Sequence, residues 1–257
     1  MKLPVAAGAL RGLFKELQAD ERKPLAIGGA HELARFLERD LARGGDASAV
    51  RVGDPTGAAA YVHICTGPGL DEVALRRAHR ARVPIVAVQT GEGDPPYVRA
   101  TDVVRVGPGE GLPLAEIARA IASVAGENAA PLAGRLPLLR EPVCRHIVES
   151  FARKNGLVGA AVFIPGVDLP VLALNQVRML LRLDQAFGLQ LDPRERLPEI
   201  LAVVGASFGF RTIARELLDF VPVTGWAVKG GVAYAGTRAL GEAQVRRLRG
   251  GASRGAL

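Results

Sequence analysis

An α/β domain followed by an all-α helical domain is the fold class this sequence predicts, and three observations predict it. Between residue 24 and about 130, short apolar runs closed by Gly or Pro alternate with amphipathic stretches of helical length. Beyond Pro131 the strand-like runs stop, and apolar residues recur three and four apart instead. The charge changes at the same place, because residues 1–130 carry 16 basic and 16 acidic side chains while residues 131–257 carry 17 and 10. The whole net charge of +7 therefore belongs to the second half, which favours an anionic neighbour there.

The elements follow in order. Residues 5–20 place Leu10, Leu13, Phe14 and Leu17 at helical spacing and read as an amphipathic helix docked on the body of the protein, not as a secretory signal. Pro24 to Ile27 is a short strand ending at Gly28-Gly29, and His31 to Arg43 carries Leu33, Phe36, Leu37 and Leu41 on one helical face. Val50–Val52 and Ala59–Cys65 read as strands, 70–82 as a charged helix, Pro84–Gln89 as a buried strand, Asp102–Val106 as another, and Leu114–Val124 as a helix. Strands alternating with helices of that length imply a small, mostly parallel sheet with flanking helices. Ala129–Pro137 has the composition of a connector.

In the second half, Pro142 opens a helix with Val143, Ile147 and Phe151 inside. Ile164 to Pro170 breaks the chain, and Pro170–Phe187 forms a helix that is apolar nearly all round except for Asn175, Arg178, Arg182 and Gln185. That stripe reads first as the solvent edge of a bundle, with a polar seam between helices or a lipid-headgroup contact as alternatives. Asp192-Pro193 starts a further helix through Gly205 and Gly209, whose spacing allows two helix backbones to approach. After Pro222 small residues recur every fourth position at Ala227, Gly231, Ala235, Ala239 and Ala243, a flat ridge suited to close packing. The expected organisation is an amphipathic helix (1–23), an α/β domain (24–130), a helical domain (131–248) and a basic, Gly-rich tail (249–257).

With 49% hydrophobic residues and two Cys in 257 residues, the chain is neither disordered nor a disulfide scaffold. In the second half the longest uncharged stretch is the 13 residues 155–167, short of the roughly 18 a spanning helix needs. Shallow or peripheral insertion remains open, with Pro165-Gly166 as a hairpin tip.

Motifs with chemical content are weak. Gly28 and Gly29 stand where an α/β sheet binds phosphate, but Ala30-His31-Glu32 supplies neither the Lys and Ser/Thr of a P-loop nor the G-x-G-x-x-G fingerprint. A tight strand-to-helix turn is the simpler use of the two glycines. Cys65 and Cys144 have no CxxC spacing, so no metal site is expected; His63 falls in a buried strand and reads as a satisfied core histidine, and His31 and His79 lie on helices without partners at ligand spacing. Glu92 and Asp94 share a Gly-rich loop that would not hold an acid and a base in register.

One resemblance runs along residues 131–245. Arg135-Leu136-Pro137, Phe163-Ile164-Pro165-Gly166, Asp168, the Gln176–Arg182 helix, Gly209-Phe210-Arg211 and Pro222 to Lys229 resemble, in order, the helical domain of unknown function that follows the G domain in Era-like bacterial GTPases and also occurs in inner-membrane proteins. The resemblance implies a degenerate, G-domain-like α/β domain ahead of it. Gln89-Thr90-Gly91-Glu92 stands where it would place the guanine-reading Asn-Lys-x-Asp, so nucleotide hydrolysis is not expected. It also implies an inner-membrane association and no established activity.

The expectation is thus a non-catalytic bacterial scaffold or adaptor on the cytoplasmic side, without cofactor. Its expected partners are the inner-membrane surface or a membrane protein, with a GTPase and a second copy of the chain as further candidates and nucleic acid excluded. The interaction or packing residues it names are Asn175, Arg178, Arg182, Gly205, Gly209, Gly231 and Ala235. A nucleotide-dependent enzyme with a non-standard site is the alternative, followed by nucleic-acid binding through the basic half.

Overall fold

The structure is a computed structural model that describes residues 12–13, 15–17, 23–65, 67, 70–91, 93–161, 169–189 and 225–254. The chain divides into two compact units. One comprises Lys15–His146 with Gln185–Leu189; the other comprises Met1–Phe14, Ile147–Asp184 and Gln190–Leu257.

The first unit is built on β1 (Leu25–Gly29), β2 (Val50–Val52), β3 (Ala60–Cys65), β4 (Ile85–Gln89) and β5 (Val103–Arg105), all parallel, in the order β2-β1-β3-β4-β5. Every residue of β3 and β4 is buried, which explains why their sequences, AYVHIC and IVAVQ, show continuous apolar runs and no hydrophobic–polar alternation. Helices α1 (His31–Ala42) and α3 (Leu114–Ala125) lie on one face and α2 (Leu70–Arg80) on the other. Under α2, Ala26, Tyr61 and Ile85 of three adjacent strands pack with Leu75 and Ala78.

The link from β2 to β3 crosses β1 in residues 53–59 without a helix. So short a crossover works because β2 pairs only with Leu25–Ile27, leaving a small distance to retrace: Gly53 N donates to Ile27 O at one end and Ala59 N to Pro24 O at the other. Since β2 and β3 flank β1 on opposite sides, the strand order reverses between β1 and β3, and the carboxyl ends there are Gly28-Gly29 and Cys65.

The expected connector before the helical domain is structured instead. Ala130–Arg135 forms α4, with Ala130, Pro131, Leu132 and Ala133 buried, and α5 begins at Pro137, placing Pro142 inside that helix rather than at its start. This segment belongs with the sheet, so the first unit reaches His146 and not residue 130. The physical ties are specific: Arg135 donates through Nε to Asp46 Oδ2 (2.9 Å), Asp46 N donates to Arg135 O (2.9 Å), and Gln185 Nε2 donates to Leu17 O (3.1 Å). Leu13 and Leu17 of the amino-terminal amphipathic segment are both buried.

In the second unit, the last part of α5 (Pro137–Ala161), α6 (Leu169–Ala186) and α7 (Gly225–Arg254) pack together. Asn175 Nδ2 of α6 donates to Asn155 Oδ1 of α5, Asn155 Nδ2 donates to Thr237 Oγ1 of α7, and Gln244 Nε2 of α7 donates to Asp184 Oδ1 of α6. The Gly241 position faces both Val148 of α5 and Met179 of α6, so with these pairings α6 runs antiparallel to α5 and parallel to α7. No described helix is long and apolar enough to cross a membrane.

Candidate functional site

The alternation of β3 puts Tyr61, His63 and Cys65 on the α2 side of the sheet and Val62 and Ile64 on the other. All three are buried, as is Asp71 in the first turn of α2. His63 Nε2 lies 2.8 Å from Asp71 Oδ1 and His63 Nδ1 lies 2.9 Å from the Tyr61 hydroxyl. A carboxylate only accepts, so Nε2 carries the hydrogen toward Asp71, and Nδ1 shares the ring's second hydrogen bond with the Tyr61 hydroxyl. Asp71 is held from its other side, where Gly67 N donates to Oδ2 at 2.8 Å. The expected core histidine with both nitrogens satisfied is what β3 carries.

Burial, with the Asp71 carboxylate adding to it, pushes the Cys65 thiol up to about 12 and the Tyr61 hydroxyl up to about 12. Cys65 is therefore a protonated thiol at neutral pH and not an activated nucleophile. Its Sγ nevertheless stands in a group with His63 and Asp71 in which one ligand atom from each lies within 4.8 Å of the others. This cluster sits at the carboxyl end of β3, beside the point where the strand order reverses.

Gly28 and Gly29 answer to the same neighbourhood. A Cβ at 28 would stand 2.0 Å from the Tyr61 hydroxyl oxygen, and a Cβ at 29, where φ is +92°, would stand 1.8 Å from Ile64 O. Ala30 N donates to that same carbonyl at 3.1 Å. Both glycines are thus required by close approach of β1 to β3.

Other residues singled out from the sequence fall in several places. Asp94 pairs with Arg105 across 2.7 Å on the surface, and His79 stacks at a tilt on Tyr97, its ring centroid 5.3 Å away. Glu92, Gly205 and Gly209 lie outside the described residues. On α6, Arg182 has no exposure, Asp184 and Gln185 are buried, and Asn175 and Arg178 are half-buried. The stripe is therefore a polar seam between helices and not the solvent edge first expected. Asn175 finds its partner in Asn155 of the flanking helix, itself bonded to Thr237, and Gln185 finds its partner in Leu17 O, which periodicity within α6 alone does not reveal.

The small-residue ridge is corrected too. Gly231, Ala235, Ala239 and Ala243 are exposed, and a Cβ at 231 would meet nothing within 4 Å. The inward face is a different one: Gly230, Thr237, Gly241 and Leu248 are buried. A Cβ at Gly230 would stand 2.9 Å from Gly156 O and 3.0 Å from Ala160 Cβ, and one at Gly241 would stand 2.7 Å from a Val148 methyl. Helix α7 approaches α5 through glycine on both sides, Gly156 and Gly230 facing each other.

What sequence reading missed was the role of Asp71 and the meeting of Cys65 with it. A signal was present, in that Tyr61, His63 and Cys65 put three polar-capable side chains on one face of an otherwise aliphatic strand. Comparison with protein-family models, with curated proteins and with solved structures finds no match to this chain.

Proposed function

We propose that the chain is a non-catalytic adaptor that docks by one end of its helical unit on the surface of a lipid bilayer. The observation that carries this reading is the placement of Leu157, Val171, Leu174 and Val232, which are 72%, 47%, 40% and 49% exposed. Isolated exposed apolar side chains are ordinary, and these four stand out because they lie within a short span along three packed helices. At about 1.5 Å per residue, Leu157 lies about 3 Å beyond the Asn155–Asn175–Thr237 seam, Leu174 and Val171 about 1.5 and 6 Å, and Val232 about 7.5 Å. The helix directions put all four on the same side of the seam. The connecting residues 162–167 are uncharged, with Phe163 and Ile164 among them. An apolar end of this depth suits insertion to the level of the headgroups and acyl chains, about 5–10 Å, not a span.

The basic excess of residues 131–257 adds attraction to anionic headgroups. The resemblance to the helical domain found after Era-like G domains and in inner-membrane proteins points the same way, toward the inner-membrane surface. On this reading the α/β unit is a G-domain-like body without nucleotide chemistry, and a membrane protein or a GTPase at that surface is its natural partner.

Co-sedimentation of the full chain with vesicles tests the proposal. Vesicles containing anionic lipid should retain the protein more strongly than neutral ones, with weakening as salt rises, and the double change Leu157→Glu with Val171→Glu should abolish retention while leaving the circular dichroism unchanged. Retention that ignores both changes would refute docking by this end.

A further inference from the structure

We propose that His63 Nε2, Cys65 Sγ and Asp71 Oδ1 form a binding site for a thiophilic divalent transition metal, zinc foremost. The inference is independent of the docking reading, since every residue in it belongs to the α/β unit.

Four observations carry it. The first is spacing: one ligand atom from each of the three residues lies within 4.8 Å of the others, and His63 Nε2 and Asp71 Oδ1 are 2.8 Å apart. A tetrahedral zinc with bonds of about 2.0 Å to nitrogen and oxygen and about 2.3 Å to sulfur sets its ligand atoms about 3.3–3.8 Å apart. Opening the His63–Asp71 contact by about half an ångström and drawing Sγ inward therefore completes three corners of a tetrahedron, within the reach of side-chain rotation.

The second is the donor set. One imidazole, one sulfur and one carboxylate match zinc and its thiophilic neighbours, while calcium and magnesium call for oxygen ligands in larger number. The third is the outer layer, which is already in place. The Tyr61 hydroxyl faces His63 Nδ1, and being both donor and acceptor it serves the metal-free ring and equally a metal-bound ring carrying its hydrogen at Nδ1. Gly67 N holds Asp71 Oδ2, which leaves Oδ1 to act as a single-oxygen ligand.

The fourth is placement. His63 and Cys65 stand on a central strand hydrogen-bonded on both sides, and Asp71 stands in the first turn of a helix packed on that strand, so all three are carried by rigid elements. The cluster lies at the carboxyl end of β3, where the strand order reverses and where sheets of this kind take their ligands. Three protein ligands leave a fourth position for water. On binding, the His63 Nε2 hydrogen moves to Nδ1 by exchange with solvent, and the Cys65 thiol proton passes to bulk water.

Cobalt(II) is the probe, because coordination by a thiolate gives it a sulfur-to-metal charge-transfer absorption that oxygen and nitrogen ligands do not. The full chain, freed of metal by a chelator, is titrated with cobalt(II) and then with zinc(II) in competition. The expected result is a charge-transfer band saturating at one equivalent and bleached by zinc. Cys65→Ser should remove the band, Asp71→Asn should weaken binding at least tenfold, and Tyr61→Phe, which keeps all three ligands, should weaken it about 10–100-fold. Cys144→Ser, at the other cysteine, should leave band and affinity unchanged. Circular dichroism of each variant separates loss of the site from loss of the fold, and Tyr61→Phe with Cys144→Ser keeps the test sound if a ligand variant unfolds. Absence of the band in the wild-type chain, or a band that survives Cys65→Ser, would overturn the proposal.

Discussion

Gly29 shows how much one residue of the α/β unit carries. Its φ of +92° already disfavours any side chain, and a Cβ there would also run into Ile64 O at 1.8 Å, in the middle of a buried strand that cannot give way. Gly53 has a comparable backbone, φ +123°, with nothing within 4 Å of its missing Cβ. Gly29→Ala should therefore cost more than the ~1–3 kcal/mol of backbone strain that Gly53→Ala alone incurs. Urea denaturation of the two variants compares them directly, and equal losses would mean the close approach to β3 is not felt. Asp46 supplies a pH dependence. Hydrogen bonds from Ser48 and from Arg135 hold its carboxyl down at about 2 against an ordinary 3.8. A carboxylate depressed in the folded state stabilises it above the unfolded pKa and loses that effect as pH falls through the folded one. Asp46→Asn should thus lower the Tm above about pH 4, with the gap to wild type closing toward pH 2. A gap that persists at pH 2 would place the effect in packing rather than charge.

Among the elements, α7 separates composition from packing most sharply. Gly230 and Gly231 are neighbours in sequence with opposite surroundings, the first against the Gly156 carbonyl and the second in open space. Gly230→Leu must push α7 off α5 and should cost about 1–3 kcal/mol. Gly231→Leu replaces a poor helix former on an exposed face and should stabilise by about 0.5–1 kcal/mol. The two changes are thus expected to move the Tm in opposite directions, and a shared sign would refute the assignment of the inward face. Helix α6 makes a parallel point through its seam. Asn155→Leu would bury an aliphatic side chain against Asn175 and Thr237, taking from Asn175 its Asn155 partner and leaving Thr237 with Gln176; a buried polar group left unsatisfied typically costs about 1–3 kcal/mol.

For the molecule as a whole, the division into units decides which fragments can stand alone. Residues 131–146 contribute Leu132, Ala133, Leu136, Leu139 and Val143, all buried, together with the Arg135–Asp46 pair, to the unit that holds the sheet. A fragment of residues 15–146 should melt cooperatively and well above one of residues 15–130, which would expose that apolar set. Indistinguishable melting of the two would put the boundary back near residue 130.

The order and type of most described elements were legible without a structure. Strands β1, β3 and β4 are almost wholly buried and so appear as unbroken apolar runs, whereas the edge strands β2 and β5 are shorter, partly exposed and carry Arg51 and Arg105. Such strands, with helices following the first, third and fifth of them, permit little besides a parallel sheet. Three matters were settled only by the tertiary structure. The inward face of α7 was hidden because Ala and Gly stand on all its sides, leaving no hydropathy contrast for a period to reveal; the partner helix chose Gly230 over Gly231. The α6 stripe turned inward, where Asn155 meets Asn175 and Leu17 O meets Gln185, and the worth of a polar group depends on its partner, not on its own sequence position. His63, Cys65 and Asp71 came together because a strand and the helix after it fold back on one another. A chain of Thr66 to Leu70 separates them in sequence, and only the packing of α2 on the sheet brings the carboxylate to the imidazole.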